Sequence, residues 1–166
     1  MAWNGAWPSL RLVNLRSALL DLAILVRNPP NGQADGVTSA LSRFLVVRTC
    51  GYLEQTIDDC CRAYLASTSS PKAAAFGSSW LGHGASPNPG KLEEVVGRFD
   101  VAWKDELHDF LTEDDEFLKR ELSFLVDRRI KIAHGLNENL GAVKALGLLD
   151  STLVIADWFI ETLDPS

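Results

Sequence analysis

Apolar residues recur along this chain at steps of three and four, which is the period of an α-helix and not of a strand. Leu10, Leu12, Leu15, Leu19, Leu20, Leu22, Ile24 and Leu25 predict a first helix from about Ser9 to Val26. Asn28-Pro29-Pro30-Asn31-Gly32 ends it, because paired prolines cannot continue a helix. From about Gly36 to Ser67, Val46, Cys50, Leu53, Ile57, Cys60 and Tyr64 make a sustained apolar stripe. That phase puts Cys60 in the core and Cys61 nearer its border. Residues 68–90 collect Pro71, Gly77, Gly82, Gly84, Pro87, Pro89 and Gly90, and read as one long loop. Shorter helices are expected at about Lys91 to Arg98 and Trp103 to Leu111.

A longer helix is expected to begin at Thr112, where Asp115 and the acidic run Glu113-Asp114-Asp115-Glu116 suit a capped N-terminus. It runs to Ala133 or His134, with Gly135 just past its end. A last helix, about Leu140 to Thr162, carries Ala142, Leu146, Leu149, Leu153, Ala156 and Ile160 on one stripe. No alternating strand pattern and no internal repeat stand out. The expectation is an all-α fold, a bundle of four to six helices in one domain over residues 1–166.

Composition narrows the function. A net charge of −6 over 166 residues argues against broad wrapping of nucleic acid, yet leaves room for a small basic site. Cys50, Cys60 and Cys61 show no CxxC or His-paired spacing, so a reduced, cytoplasmic protein is expected. Met1 to Pro8 lacks the pattern of a signal peptide, and charges such as Asp21 and Asp150 interrupt the apolar stretches, so no membrane association is expected. Neither a metal nor another cofactor is expected. Gly82-His83-Gly84 lacks the Lys-Ser/Thr ending of a phosphate loop.

One segment breaks the apolar pattern. Leu118, Leu122, Leu125, Ile132 and Ala133 share a helix face, and Arg129 falls near its centre. A charge there must snorkel, pair or serve a site. His134 follows five residues later. A guanidinium and an imidazole suit phosphodiester chemistry, the first stabilising charge on phosphate and the second moving a proton near neutral pH. On a straight helix the two side chains diverge by about 140°. A distorted final turn, the length of the arginine, or pairing across a two-fold dimer would close that gap. Arg128, Arg129, Lys131 and His134 also fit plain compensation of the helix dipole.

Leu125-Val126-Asp127-Arg128-Arg129-Ile130-Lys131-Ile132-Ala133-His134-Gly135 resembles the signature of the HEPN superfamily. Arg48-Thr49-Cys50-Gly51-Tyr52-Leu53-Glu54-Gln55 resembles the early helix of its RiboL-PSP subgroup. Leu92-Glu93-Glu94-Val95-Val96-Gly97-Arg98-Phe99-Asp100, with Trp103, resembles the middle segment. The resemblance spans about residues 37–136 and implies a helical bundle that dimerises with the motif at the dimer cleft. It implies a metal-independent endoribonuclease, a toxin or an anti-phage or stress-response effector, acting on RNA and held by an antitoxin or regulatory protein.

Carried onto this chain, Arg129 and His134 are the catalytic candidates. Glu54, on a helix stripe with Val47, Gly51, Asp58 and Cys61, either supports them or is simply a solvated or helix-pairing carboxylate, and Gly51 would allow close helix approach. Arg128 and Lys131 would guide the RNA backbone. Ile130 stands where active members ordinarily have a polar residue. That substitution favours the alternative, a noncatalytic module binding a partner protein or a nucleotide.

Overall fold

The computed structural model describes residues 5–30, 35–81, 86–136 and 140–166, which form six helices. They are α1 (Leu10–Arg27), α2 (Asp35–Thr68), α3 (Pro71–Ser78), α4 (Pro89–Gly97), α5 (Val101–Ala133) and α6 (Ala142–Thr162). Together they make an all-α bundle.

The bundle is built around α2, which touches α1, α3, α5 and α6. Its stripe is buried as expected at Val46, Cys50, Leu53, Ile57 and Cys60. Tyr64 ends it edge-on to Phe99 and Trp103, with ring centres 5.8 and 5.3 Å apart. Cys61 is as fully enclosed as Cys60, not at the core's border. A helix contacted by four others buries an arc wider than one stripe.

The face of α6 meets expectation in part. Leu149 and Ala156 of the expected stripe are buried, whereas Ala142, Leu146, Leu153 and Ile160 lie at the margin. Ala145, Leu148, Thr152, Ile155 and Phe159 are buried beside them, so the covered face is wider than the stripe and centred to one side of it.

Residues 68–90 are not one long loop. Ser70 accepts a hydrogen bond from the Ala73 N–H at 3.4 Å, and Pro71 opens α3. Proline suits a first turn, where its missing N–H would have no helical partner. The Ala73–Ala75 run then sustains the helix. No residue of α3 is buried, and Phe76 and Trp80 stay exposed. His83 lies outside the described residues.

The two helices expected in this region are present within α5, but the break between them falls at Glu113–Glu116, just past Thr112. Glu113 leaves helical geometry with ψ 159°, and Asp114, Asp115 and Glu116 take φ of 50°, 57° and 60°. Left-handed backbone costs an L-residue roughly 1–2 kcal/mol. Thr112 does not cap the second half. Its hydroxyl donates backwards to the His108 carbonyl at 2.8 Å, the back-bonding open to a threonine inside a helix.

The end of α5 is as expected. Gly135 has φ 74°, its N–H donates to Ile132 at 3.0 Å, and the Leu136 N–H donates to Lys131 at 3.0 Å. These two bonds form a Schellman cap, with His134 as the last half-helical residue. A Cβ on Gly135 would meet nothing within 4 Å, so only the backbone resists substitution. Gly135→Ala is therefore expected to destabilise the protein by about 1 kcal/mol, measured as a lower urea midpoint at unchanged slope. An unchanged midpoint would show that the cap adds nothing.

Among the described residues, no helix is long and apolar enough to cross a membrane.

Candidate active site at the contact of α2 and α5

The second half of α5 is anchored by Leu122, Leu125 and Val126, all buried. This anchoring turns Arg129 toward α2. Its Nη2 stands 3.9 Å from Glu54 Oε1, and the arginine side chain keeps 38% of its exposure. The polar residue in an apolar stripe is thus resolved by pairing. The pair is loose and solvated, so its attraction is modest. It aims the guanidinium without neutralising it deeply.

Cys50 lies one turn below Glu54, with its sulfur 3.9 Å from the same carboxylate oxygen. Burial, and then Glu54, push the Cys50 thiol up to about 12. Burial likewise raises Cys60, and lifts Cys61 to about 12. These thiols are packing groups and not nucleophiles.

The remaining basic residues of the motif are occupied. Arg128 lies over the Phe124 ring at 4.5 Å and its Nε is 3.8 Å from Asp127. Lys131 pairs with Asp127 at 3.0 Å, one turn back on the same helix. Both side chains are partly exposed and brace α5.

His134 is exposed at the Schellman cap, where its backbone N–H donates to Ile130 at 3.0 Å. Among the described residues, no hydrogen bond or ion pair engages its imidazole. Among the described residues the structure therefore brings Arg129 and Glu54 together and pairs neither with His134. The capped end distorts only the last residue, so the offset of about 140° persists in α5.

Beside Arg129 lies a cleft of about 220 Å³ that the reading of single residues missed. Leu15 and Leu19 of α1 form one wall. Val47, Arg48, Gly51, Tyr52 and Gln55 of α2 form the floor, and Arg129 closes the other side. The signal was present, since 48, 51, 52 and 55 follow the spacing of one helix face. Gly51 does not serve close helix approach, as expected above. A Cβ there would meet nothing within 4 Å. A glycine in a helix interior costs about 1 kcal/mol relative to alanine, and here no packing contact offsets that cost.

Among the described residues, no three His, Cys, Asp or Glu side chains converge as a metal site would require.

The chain matches the family model described as RiboL-PSP-HEPN over residues 11–163. It belongs to the RiboL-PSP-HEPN family. No curated protein matches it. No solved structure matches it either. The RiboL-PSP-HEPN match contains Glu54, Arg129 and His134, and the cleft residues Leu15 to Gln55 as well. It supports a HEPN-type nuclease or related module.

Proposed function

We propose that the protein is a metal-independent endoribonuclease of the HEPN type. The observation that carries this reading is Arg129, held against Glu54 yet still accessible at the edge of an arginine-lined cleft. An aimed but solvent-facing guanidinium is suited to a phosphate that arrives and leaves.

The ribose 2′-oxygen attacks the adjacent phosphorus, and the P–O bond to the 5′-oxygen breaks. Arg129 stabilises the negative charge that grows on the phosphoryl oxygens. His134 takes the 2′-hydroxyl proton or supplies one to the departing 5′-oxygen. The separation of His134 from Arg129 within one chain favours a homodimer in which two copies of the motif meet. One imidazole then serves as base and the other as acid. Arg128 and Lys131, both paired with the partly exposed Asp127, can turn from it to RNA phosphates. The physiological role fitting such an activity is a cytoplasmic toxin or anti-phage or stress-response effector, restrained by an antitoxin or regulatory protein.

A specific observation favours a second reading. Ile130, beside Arg129, is 39% exposed and apolar. A noncatalytic module binding a partner protein or nucleotide would use that surface without cleaving RNA.

The test is cleavage of a defined RNA with chelator present. Products ending in 2′,3′-cyclic phosphate and 5′-hydroxyl are expected, and the all-deoxy substrate should remain intact. Cleavage that appears only on adding a divalent metal, or equal cleavage of DNA, would sink the nuclease mechanism. No cleavage combined with a tight protein complex would favour the module.

A further inference from the structure

We infer that the cleft between α1 and α2 is a subsite for the RNA backbone next to the scissile bond, with Arg48 as its phosphate-binding residue. The inference deepens the nuclease reading and rests on it for the identity of the ligand.

Three observations converge. First, charge is segregated. The chain carries a net charge of −6, yet among the described residues the only charged ones lining the cleft are Arg48 and Arg129. Arg48 is exposed, and among the described residues no carboxylate pairs with it. By contrast Arg11, Arg16, Arg62 and Arg98 each hold an acidic partner. An unneutralised arginine in a concave, partly apolar site favours an anion.

Second, the arrangement on α2 is continuous. At about 100° per residue, Gly51 lies some 60° from Glu54 and another 60° from Arg48. A strand passing over Gly51 therefore meets Arg129 on one side, where Glu54 holds it, and Arg48 on the other. Gly51 leaves the path open, as no atom stands within 4 Å of where its Cβ would be. Filling this site with a side chain would block the passage.

Third, the size fits. About 220 Å³ is below the range of roughly 300–1,000 Å³ usual for a drug-sized ligand. It suits one sugar-phosphate unit. Gln55 is already committed, its amide donating to the Gly51 carbonyl at 3.3 Å and its oxygen accepting from Arg11 at 3.0 Å. The subsite is thus built to hold backbone without reading a base, and contacts of that kind position and do not specify.

The test uses a short single-stranded oligonucleotide, 2′-deoxy at every sugar so that it cannot be cleaved. Arg48→Ala should weaken its binding about tenfold. It should also lower the slope of log affinity against log salt by about 0.7, the loss of one phosphate contact on a single strand. Arg48→Lys should recover most of that slope. Gly51→Leu, with folding checked by circular dichroism, should weaken binding comparably. On cleavable RNA, Arg48→Ala should raise KM with kcat within about twofold. Cleavage by wild type with affinity, salt slope and KM unchanged in Arg48→Ala would overturn the subsite and leave the nuclease standing. Binding that depends on Arg48, in a protein that cleaves no RNA, would support the cleft as a nucleic-acid backbone site and overturn the nuclease, and with it the place beside a scissile bond. A Gly51→Leu protein that loses self-association but binds the oligonucleotide normally would assign the cleft to a second copy of the chain, also overturning the subsite.

Discussion

Replacing His134 with alanine is expected to lower RNA cleavage by about 10²–10⁴-fold, the usual worth of a positioned proton-transfer group. The fold should survive. The imidazole is exposed, and the Schellman cap around it is made by the backbone of Ile132, Lys131, Gly135 and Leu136. Thermal unfolding should therefore coincide with that of wild type while the cleavage rate collapses. Arg129→Ala should cost a comparable 10²–10³-fold, as loss of an electrostatic stabiliser does. It also leaves Glu54 without its partner 3.9 Å away. Measured rates for the two variants, under chelator and with RNA in excess, decide the matter. A His134→Ala protein that cleaves at the wild-type rate would remove His134 from the chemistry.

The largest expected effect on stability is that of Phe159→Ala, about 3–5 kcal/mol. Phe159 is fully enclosed and is among the bulkiest of the fully buried side chains. It lies on α6, which packs against α1, α2 and α5, and meets the Trp158 ring edge-on at 5.1 Å. Truncation leaves a void in the core, where neighbours can relax only in part. Urea unfolding would read the loss as a lower midpoint. A change below about 1 kcal/mol would mean that α6 repacks freely, and that the α2–α6 core is less tightly set than the burial indicates.

Much of the fold could be read from residue patterns, and the failures have physical causes. The stripe on α2 was legible at Val46, Cys50, Leu53, Ile57 and Cys60, but the rest of its buried arc depends on the four helices that contact it. On α6, Leu149 and Ala156 were legible, and the buried residues to one side of them were not. Pro71, Gly77 and the prolines further on masked α3, although Ser70 and Pro71 are themselves a helix-start signal. Thr112 was read as a cap because it precedes an acidic run, but its hydroxyl had a nearer acceptor in the His108 carbonyl. At the candidate site, Arg129 announced itself as a charge within an apolar stripe, and Glu54 stood out only on a stripe of its own helix; that the two face each other depends on how α5 lies against α2. The cleft was not legible. It depends on how α1 lies across α2, and no residue within it looks anomalous on its own.

The bend in α5 has a consequence for how the molecule opens. Asp114, Asp115 and Glu116 interrupt the helical backbone between the half of α5 that begins at Val101 and the half that carries Arg129. The two halves can therefore lose amide protection separately, as distinct cooperative units in hydrogen exchange. The first half packs with α4, and the second ends at Arg129 and His134. Fraying at the end that carries Arg129 and His134 need not spread past the acidic bend, so that end can open locally while the remainder of the bundle stays closed.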